Sequence, residues 1–273
     1  MDRPLILATN DDGIASPGLK ASVRAVLPLG DVLVVAPTRQ QTAMSRSLWG
    51  SADEYLQPIE FKVDGVPVPA YHCDCSPAHT VWHAMDVLCA KRRPQLLVAG
   101  INYGENLGLN VTLSGTIGAA SQAAAMGVPA IAVSLETELK FHFTYGDLDW
   151  AAAGHFTTLF AARVLERHLP PDVHVLKIDV PREATARTPW RITRMALQPY
   201  YTFRVADPTP LTRIRDKEVV KVHDDATLAR DSDVHTMVHD RLVSVTPLSL
   251  DATSRADVGA LRRLLEGGGA IGT

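Results

Sequence analysis

Residues Leu5–Gly13, LILATNDDG, contain four consecutive apolar residues, then Thr9 and Asn10, and then two adjacent aspartates and a glycine. A short run that is apolar without alternation is typical of a strand buried on both faces of a parallel sheet. In doubly wound sheets, ligands bind beyond the carboxyl ends of the strands. The stretch therefore predicts a buried first strand, Leu5–Ala8, followed by a functional loop at Thr9–Gly13.

Further apolar runs and helical patterns alternate along the first two-thirds of the chain. The predicted strands are Val32–Ala36, Leu96–Ala99, Ala130–Ser134 and Val173–Val180. The predicted helices are Pro17–Leu27, Ala78–Ala90, Thr116–Met126 and Asp149–Leu169. This order of strands and helices predicts an α/β protein with a mainly parallel sheet and helices on both of its faces.

Three segments depart from this alternation. Residues 50–71 predict a β-hairpin with an Asp64-Gly65 turn, since that dipeptide favours tight two-residue turns. Residues 187–246 predict further β excursions, and Ser254–Glu266 predicts an amphipathic helix. We expect a single domain over residues 1–273, with a core at about 1–195 and an arm and C-terminal segment at about 196–273.

Composition excludes several classes of protein. With 27 Lys and Arg against 30 Asp and Glu, the net charge of −3 provides no basic surface for nucleic acid. The hydrophobic fraction of 46% excludes bulk disorder, and no apolar run reaches the length of a membrane span. The short apolar stretch near the N-terminus does not fit a signal peptide, and three cysteines do not form a disulfide framework. We expect a cytoplasmic protein.

Polar residues follow the predicted strands where a site is expected. Two close carboxylates raise each other's pKa unless a metal ion or another positive group holds them. Pro37–Ser47 is rich in hydroxyls and amides, and Gly100–Gly108 is rich in glycine and asparagine. Ser114-Gly115-Thr116 precedes an alanine-rich helix, whose N-terminus favours an anion. Such oxygen donors suit Mg²⁺, Mn²⁺ or Ca²⁺.

Each of these features also has an ordinary structural interpretation. The Thr9–Gly13 segment fits a simple turn, and Ser114–Thr116 fits a plain helix cap. Cys73 and Cys75, with His72 and His79 nearby, suggest zinc, but the second cysteine pair of such sites is missing. We therefore interpret these cysteines as ordinary thiols.

Taken together, these segments resemble the SurE family, the survival-protein-E nucleotidases. The blocks occur in family order and with family spacing over almost the whole chain. They are Thr9–Ile14 with Ser16–Gly18, Val34–Pro37, Gly100–Gly108, Ser114–Thr116 and Val243–Leu248.

The resemblance implies a fold, an activity and an assembly. The fold is a Rossmann-like three-layer α/β core with a protruding β-hairpin and a C-terminal arm exchanged between subunits. The activity is divalent-metal-dependent hydrolysis of nucleoside monophosphates, as a 5′-nucleotidase that in some members also acts on 3′-nucleotides or polyphosphate. One cation per subunit is implied, Mg²⁺ or Mn²⁺, with Ca²⁺ possible in a crystal. A homodimer or homotetramer is implied, with no nucleic-acid or membrane partner.

The resemblance also assigns site residues. The implied metal ligands are Asp11, Asp12, Thr42 and Asn102. The implied catalytic residues are Asp11, Asn106 and Ser114. His235 lies close to the family's acidic position, and we expect its imidazole to supply the proton for the leaving group, because an unperturbed histidine pKa of roughly 6.5 suits that work. The implied substrate-binding and phosphate-binding residues are Asn10, Gly115, Thr116 and Asp233. The site blocks extend from Asn10 to Leu248, so a division of the chain into two domains would split one active site.

The chain departs from the family pattern at three places. Thr42 stands where the family has a metal-binding serine, and a threonine hydroxyl can still coordinate a cation. His79 stands where the family has an aspartate. Residues 135–235 match poorly, so substrate specificity and assembly contacts do not carry over.

Other functional classes remain as alternatives. A phospho-accepting receiver also begins with an acidic pair, but Asn102 stands near the place of its acceptor aspartate, and Leu135-Glu136 near that of its lysine. The chain has no G-x-G-x-x-G signature after a predicted strand, and this disfavours a dinucleotide-dependent oxidoreductase. A nucleotide-binding regulator without turnover remains compatible with the sequence, and metal-dependent phosphate release distinguishes the two.

Overall fold

The structure, a computed structural model, describes residues 3–142 and 144–266. The strands are β1 (Leu5–Thr9), β2 (Asp31–Pro37), β3 (Gln57–Pro58), β4 (Lys62–Val63), β5 (Val66–Pro67), β6 (Ala70–Cys73), β7 (Leu96–Tyr103), β8 (Ala130–Leu135), β9 (Val175–Val180), β10 (Trp190–Ile192), β11 (Tyr201–Arg204), β12 (Glu218–Lys221) and β13 (Val243–Leu248). The α-helices are α1 (Pro17–Val26), α2 (Pro77–Val87), α3 (Gly115–Ala125), α4 (Ala151–Glu166), α5 (Asp233–Val238) and α6 (Val258–Glu266). Leu109–Leu113 and Leu139–His142 form short 3₁₀ helices.

A mostly parallel sheet runs through the centre of the described chain, in the order β10-β13-β9-β8-β7-β1-β2-β6-β3. Strands β6, β2, β1, β7, β8 and β9 pair in parallel, whereas β13 is antiparallel to β9 and β3 to β6. The predicted α/β class is confirmed.

The sheet is covered on both faces, and this explains the unbroken apolar runs. Ile6 and Ala8 of β1 belong to the core shared with α1 and α4, whereas Leu7 points into the core shared with α2 and α3. All five residues of β1 are buried. Because successive side chains of a strand face opposite ways, both faces of β1 must be apolar.

The predicted hairpin turn is confirmed. β4 and β5 pair antiparallel around Asp64 and Gly65, whose φ angles of 50° and 81° are the left-handed values that this turn requires. The turn contacts α1 at the surface, where Arg24 donates two hydrogen bonds to the Asp64 carboxylate, at 2.6 and 2.7 Å.

The segment after residue 195 is divided between an arm and the sheet. β11 and β12 form a separate antiparallel hairpin, here called the arm hairpin. β13 returns to the main sheet between β9 and β10, where Val243 and Val245 are fully buried. Part of the predicted arm segment therefore contributes to the core. The glycine-rich tail from residue 267 lies outside the described residues.

No helix within residues 3–142 and 144–266 combines the length and the apolar character needed to cross a bilayer.

Candidate active site

The loop after β1 presents two buried carboxylates at the carboxyl edge of the sheet. Asp11 is 6% exposed and Asp12 is 2% exposed. Gly13 has a φ of +98°, and a Cβ there would lie 3.0 Å from the backbone carbon of Arg39. A side chain at this position would therefore be both strained and crowded, and glycine permits the bend that follows the aspartates.

The Asp11 carboxylate faces the N-terminus of α3. The Thr116 hydroxyl donates a hydrogen bond to its Oδ1. Burial raises the pKa of Asp11 to about 6, although the Thr116 hydroxyl and the backbone N–H groups of Thr116 and Gly115 lower it. The predicted anion site at this helix entry thus holds a carboxylate of the protein itself.

Asp12 is fixed by neighbours from three segments. Gln40 Nε2 and the Tyr103 backbone N–H donate to its carboxylate at 3.1 and 3.2 Å. The Tyr145 hydroxyl donates to its backbone carbonyl at 2.7 Å. Burial and the charge of Asp11 raise the pKa of Asp12 well above its usual value.

The two carboxylates lack a basic counterion among the described residues. Neither takes part in an ion pair, whereas buried Glu105 nearby is paired with Lys221. Two like charges in a buried position disfavour ionisation of both groups. A cation at this point would relieve that repulsion.

The remaining predicted metal ligands lie around the same cavity, which has a volume of about 720 Å³. The register of β7 on β8 shifts between Ala99 and Asn102, and such irregularities redirect side chains near functional sites. Asn102 Nδ2 donates to the Gly104 carbonyl at 2.7 Å, so the side-chain oxygen of Asn102 is left to accept a ligand. Thr42 borders the cavity from the exposed loop after β2.

Two predicted phosphate-side residues also border the cavity. Asn106 Nδ2 donates to Ser134 Oγ at 2.8 Å, and its second N–H remains for a ligand. Ser114 caps α3, where its Oγ accepts from the Ile117 N–H at 3.2 Å and can still donate its own proton. The structure thus brings together Asp11, Asp12, Thr42, Asn102, Asn106 and Ser114.

Three other predicted residues lie behind the cavity wall. Asn10 is fully buried, and its amide is hydrogen-bonded to the backbone of Gly13 in both directions. Thr116 is fully buried against Asp11, and a Cβ on Gly115 would lie 2.8 Å from Asp11 Oδ2. These residues position the acidic loop.

Asp233 lies in a buried ion triad, away from the cavity wall. Lys177 Nζ is 2.5 Å from Asp179 and 3.1 Å from Asp233, and all three side chains are fully buried. Burial raises the pKa of Asp179 to about 6 in spite of the neighbouring lysine. Burial also lowers the pKa of Lys177, but the two carboxylates more than offset this and raise it.

The triad holds the loop that carries Asn106. Asp179 accepts from the Asn106 backbone N–H at 2.8 Å, and Asp233 accepts from the Gly108 N–H at 3.1 Å. The Asp233 carboxylate is enclosed by Lys177 and backbone donors and does not border the cavity, so its predicted contact with substrate stays a prediction that this geometry does not favour.

A histidine that the sequence analysis missed borders the cavity, whereas His235 does not. His235 Nδ1 is 3.4 Å from Asp240, and its ring packs on His239 with centroids 4.9 Å apart. His142 lines the cavity, and its Nε2 is buried without a hydrogen-bond partner. Burial lowers the pKa of the His142 imidazole. No motif in its segment pointed to it.

The arm hairpin forms part of the cavity wall. Its two strands and their connection contribute Tyr201, Thr202, Phe203, Ile214, Arg215, Lys217 and Val219. Lys217 Nζ lies 3.6 Å from the centroid of the Phe203 ring. The hairpin thus places aromatic rings and two basic groups on the cavity that the acidic loop also borders.

A sequence profile described as survival protein SurE matches residues 6–202. The chain belongs to the SurE family. The resemblance predicted from the loop motifs is confirmed.

Relatives and solved structures are similar over nearly the whole chain. A 5′-nucleotidase SurE of Methanocella arvoryzae is 40% identical, over 95% of this chain and 97% of that protein. A 5′-nucleotidase SurE of Thermococcus gammatolerans is 39% identical, over 96% of each chain. The crystal structure of the SurE protein from Aquifex aeolicus superposes with a TM-score of 0.75 at 27% identity, covering 96% of this chain and 100% of that one.

Proposed function

We propose that this SurE protein is a 5′-nucleotidase, a phosphoric monoester hydrolase that converts nucleoside monophosphates into nucleoside and phosphate. The observation that carries the proposal is the pair of buried carboxylates, Asp11 and Asp12, which lack a basic counterion and border a cavity large enough for a mononucleotide. Membership of the family and relatives named 5′-nucleotidase support the same activity.

The same donors fit a divalent cation. Asp11, Asp12, Thr42 and Asn102 would hold it, and their carboxylate, hydroxyl and amide oxygens are the ligands that Mg²⁺ and Mn²⁺ prefer. When bound, the ion polarises the phosphate and lowers the pKa of a water molecule. The raised pKa values of both aspartates agree with a site that is completed by positive charge.

The protein's own groups then bind and orient the phosphate. The free N–H of Asn106 and the Ser114 hydroxyl would donate hydrogen bonds to the non-bridging oxygens of the phosphate. Thr116 holds Asp11, and Gln40 holds Asp12, so the carboxylates need little reorganisation when substrate binds. Fixed donors of this kind stabilise charge that develops in the transition state.

The arm hairpin covers the nucleoside end of the same cavity in this proposal. Tyr201 and Phe203 offer ring faces for a base, and Arg215 and Lys217 add positive potential for an anionic substrate. The chain's net charge of −3 therefore does not oppose phosphate binding, because the cation and these basic groups act locally.

We propose His142 as the hydrogen-bond donor to the leaving oxygen, in place of the predicted role of His235. Replacing His142 with alanine should lower kcat by about a hundredfold, a usual loss for one positioned donor or acid. His235→Ala should leave the pH profile and kcat near the wild-type values. Steady-state kinetics on both variants make the comparison, and a larger loss in His235→Ala would restore the predicted role of His235.

Gly115→Ala should misplace Asp11, because the added Cβ would lie 2.8 Å from Asp11 Oδ2. We expect kcat/KM to fall by about a hundredfold, since displacements near 1 Å have that effect. The matched control is Gly154→Ala in α4, where a Cβ meets nothing within 4 Å. It should retain activity and gain about 0.5–1 kcal/mol of unfolding free energy. Equal activity of the two variants would contradict the proposed packing around Asp11.

A phosphate-release panel tests the proposed function. Nucleoside 5′- and 3′-monophosphates, with Mg²⁺, Mn²⁺ or chelator, should give release that depends on metal and is highest for a 5′-monophosphate. A small phosphodonor tests the receiver alternative, because a receiver retains phosphate on an aspartate and a hydrolase releases it. If the protein retains the donor's phosphate and releases none, the receiver alternative replaces the proposed nucleotidase.

We also infer self-association and a reducing compartment, the cytoplasm. Leu197, Leu211 and Ile214 around the arm hairpin are at least 83% exposed, and α6 leaves Val258, Leu264 and Leu265 uncovered in the described chain. Apolar surface of this kind suits a homodimer or homotetramer that exchanges its C-terminal arm. Sedimentation of the full chain tests the assembly.

All three cysteines are free thiols, which suits a reducing environment.

A further inference from the structure

A second cluster of metal-ligating side chains lies outside the active site. His223 and Asp225 follow β12, and His239 directly follows α5. Each offers one ligand atom, and these atoms lie within 4.8 Å of one another. Within residues 3–142 and 144–266, this is the one group of three histidine, cysteine or acidic side chains with that geometry.

The distances match the size of a metal cage. His239 Nε2 is 2.8 Å and His223 Nε2 is 3.4 Å from Asp225 Oδ1. Tetrahedral Zn²⁺ with bonds of about 2.0–2.2 Å places neighbouring ligand atoms about 3.3 Å apart. Small side-chain movements would therefore admit an ion between the two imidazoles and the carboxylate.

We propose that His223, Asp225 and His239 form a second metal site that takes Zn²⁺ or a similar borderline ion. Two imidazoles and one carboxylate select such ions over Mg²⁺, which prefers oxygen donors throughout. Three protein ligands leave the remaining position to water, since the cluster is accessible to solvent.

The position of the cluster gives the ion a mechanical role. β12 supplies Lys221, whose Nζ is 2.5 Å from Glu105 Oε1 at the cavity, and α5 begins at Asp233 of the buried triad. An ion on His223 and His239 would tie the end of the arm hairpin to α5. The site would stabilise the hairpin that forms the cavity wall without touching substrate.

Crossed metal titrations test the proposal. By equilibrium dialysis, wild-type protein should bind two equivalents of Zn²⁺, His223→Ala/His239→Ala should lose one, and Asp11→Asn should lose the other. The control His168→Ala, at an exposed position after α4, should bind two. If the double-histidine variant still binds two equivalents, or if wild type binds only one and loses it in Asp11→Asn, the second site is refuted.

Two further readouts separate the site from a general loss of folding. Co²⁺ bound to Asp11→Asn should give the visible absorption typical of nitrogen-ligated cobalt. The triple variant, which combines Asp11→Asn with His223→Ala and His239→Ala, should give no such absorption. Zn²⁺ should slow hydrogen exchange in residues 218–240 of wild type and not of His223→Ala. Mn²⁺-dependent phosphate release should be unchanged in His223→Ala, so failure of this proposal leaves the proposed function intact. If Zn²⁺ does not change hydrogen exchange in wild type, the ion does not tie the arm hairpin to α5.

Discussion

Asp11→Asn is expected to lower kcat/KM for a nucleoside 5′-monophosphate by about a thousandfold, even at saturating Mn²⁺. The substitution removes one of the two carboxylates proposed to hold the cation, and with it the charge that faces the α3 N-terminus. Loss of electrostatic stabilisation of several kcal/mol corresponds to this factor, since each 1.36 kcal/mol changes the rate about tenfold. Steady-state phosphate release measures the effect.

The fold should survive this substitution, because asparagine is nearly isosteric and still accepts the Thr116 hydrogen bond. Far-UV circular dichroism and the urea midpoint check this point. Asp53→Asn, at an exposed turn position, makes the same chemical change away from the site and should keep full activity. If Asp11→Asn turns over substrate at the wild-type rate, the proposed role of the acidic loop in catalysis is wrong.

Lys177→Met is expected to lower the free energy of unfolding by about 3–5 kcal/mol. The substitution leaves Asp179 and Asp233 fully buried without their counterion, and breaking a buried ion pair on one side has this cost. The melting temperature should fall by about 10 °C at this chain length. Urea titration and calorimetry provide the two measurements.

The matched control is Lys20→Met on the exposed face of α1, which should change stability by less than about 0.5 kcal/mol. Lys177→Met should also reduce activity, because Asp179 and Asp233 hold the backbone of Asn106 and Gly108. A variant as stable as wild type would contradict the cost assigned to the broken triad, and a variant with full activity would show that the triad does not hold the loop.

Local sequence patterns were enough to predict the central sheet and the position of the acidic loop. The run Leu5–Ala8 is buried on both faces, so its composition alone marks a central parallel strand. Asp11 and Asp12 follow this run after Thr9 and Asn10, and the position of parallel strand ends then places them at the functional edge. Thr42 and Asn102 were reached through the family resemblance, and both border the cavity.

Contacts between distant segments were harder to predict. Asp233 was assigned to substrate through the family resemblance, which does not reveal that its partners in the structure, Lys177 and Asp179, lie more than fifty residues earlier in the chain. A signal was present, since two charged residues two apart in an apolar strand face the same side and need a partner. His142 had no such signal, because the segment that carries it has no periodic pattern.

The arm illustrates the same limit. Residues 243–248 were expected in an arm and C-terminal segment, yet β13 pairs antiparallel with β9 inside the sheet. Strand neighbours depend on the whole topology and not on the apolar run itself. The interpretation of residues 1–273 as one domain stays a prediction, and β13 within the core sheet favours it.

Phosphate release from a nucleoside 5′-monophosphate, measured on the purified full chain with Mn²⁺ and then with excess chelator, tests the central claim most directly. We expect multiple turnovers with Mn²⁺, their loss in chelator and their return when Mn²⁺ is restored. Turnover that is unaffected by chelator would contradict the cation site on Asp11 and Asp12. Absence of turnover for every 5′-monophosphate at saturating metal would contradict the nucleotidase itself.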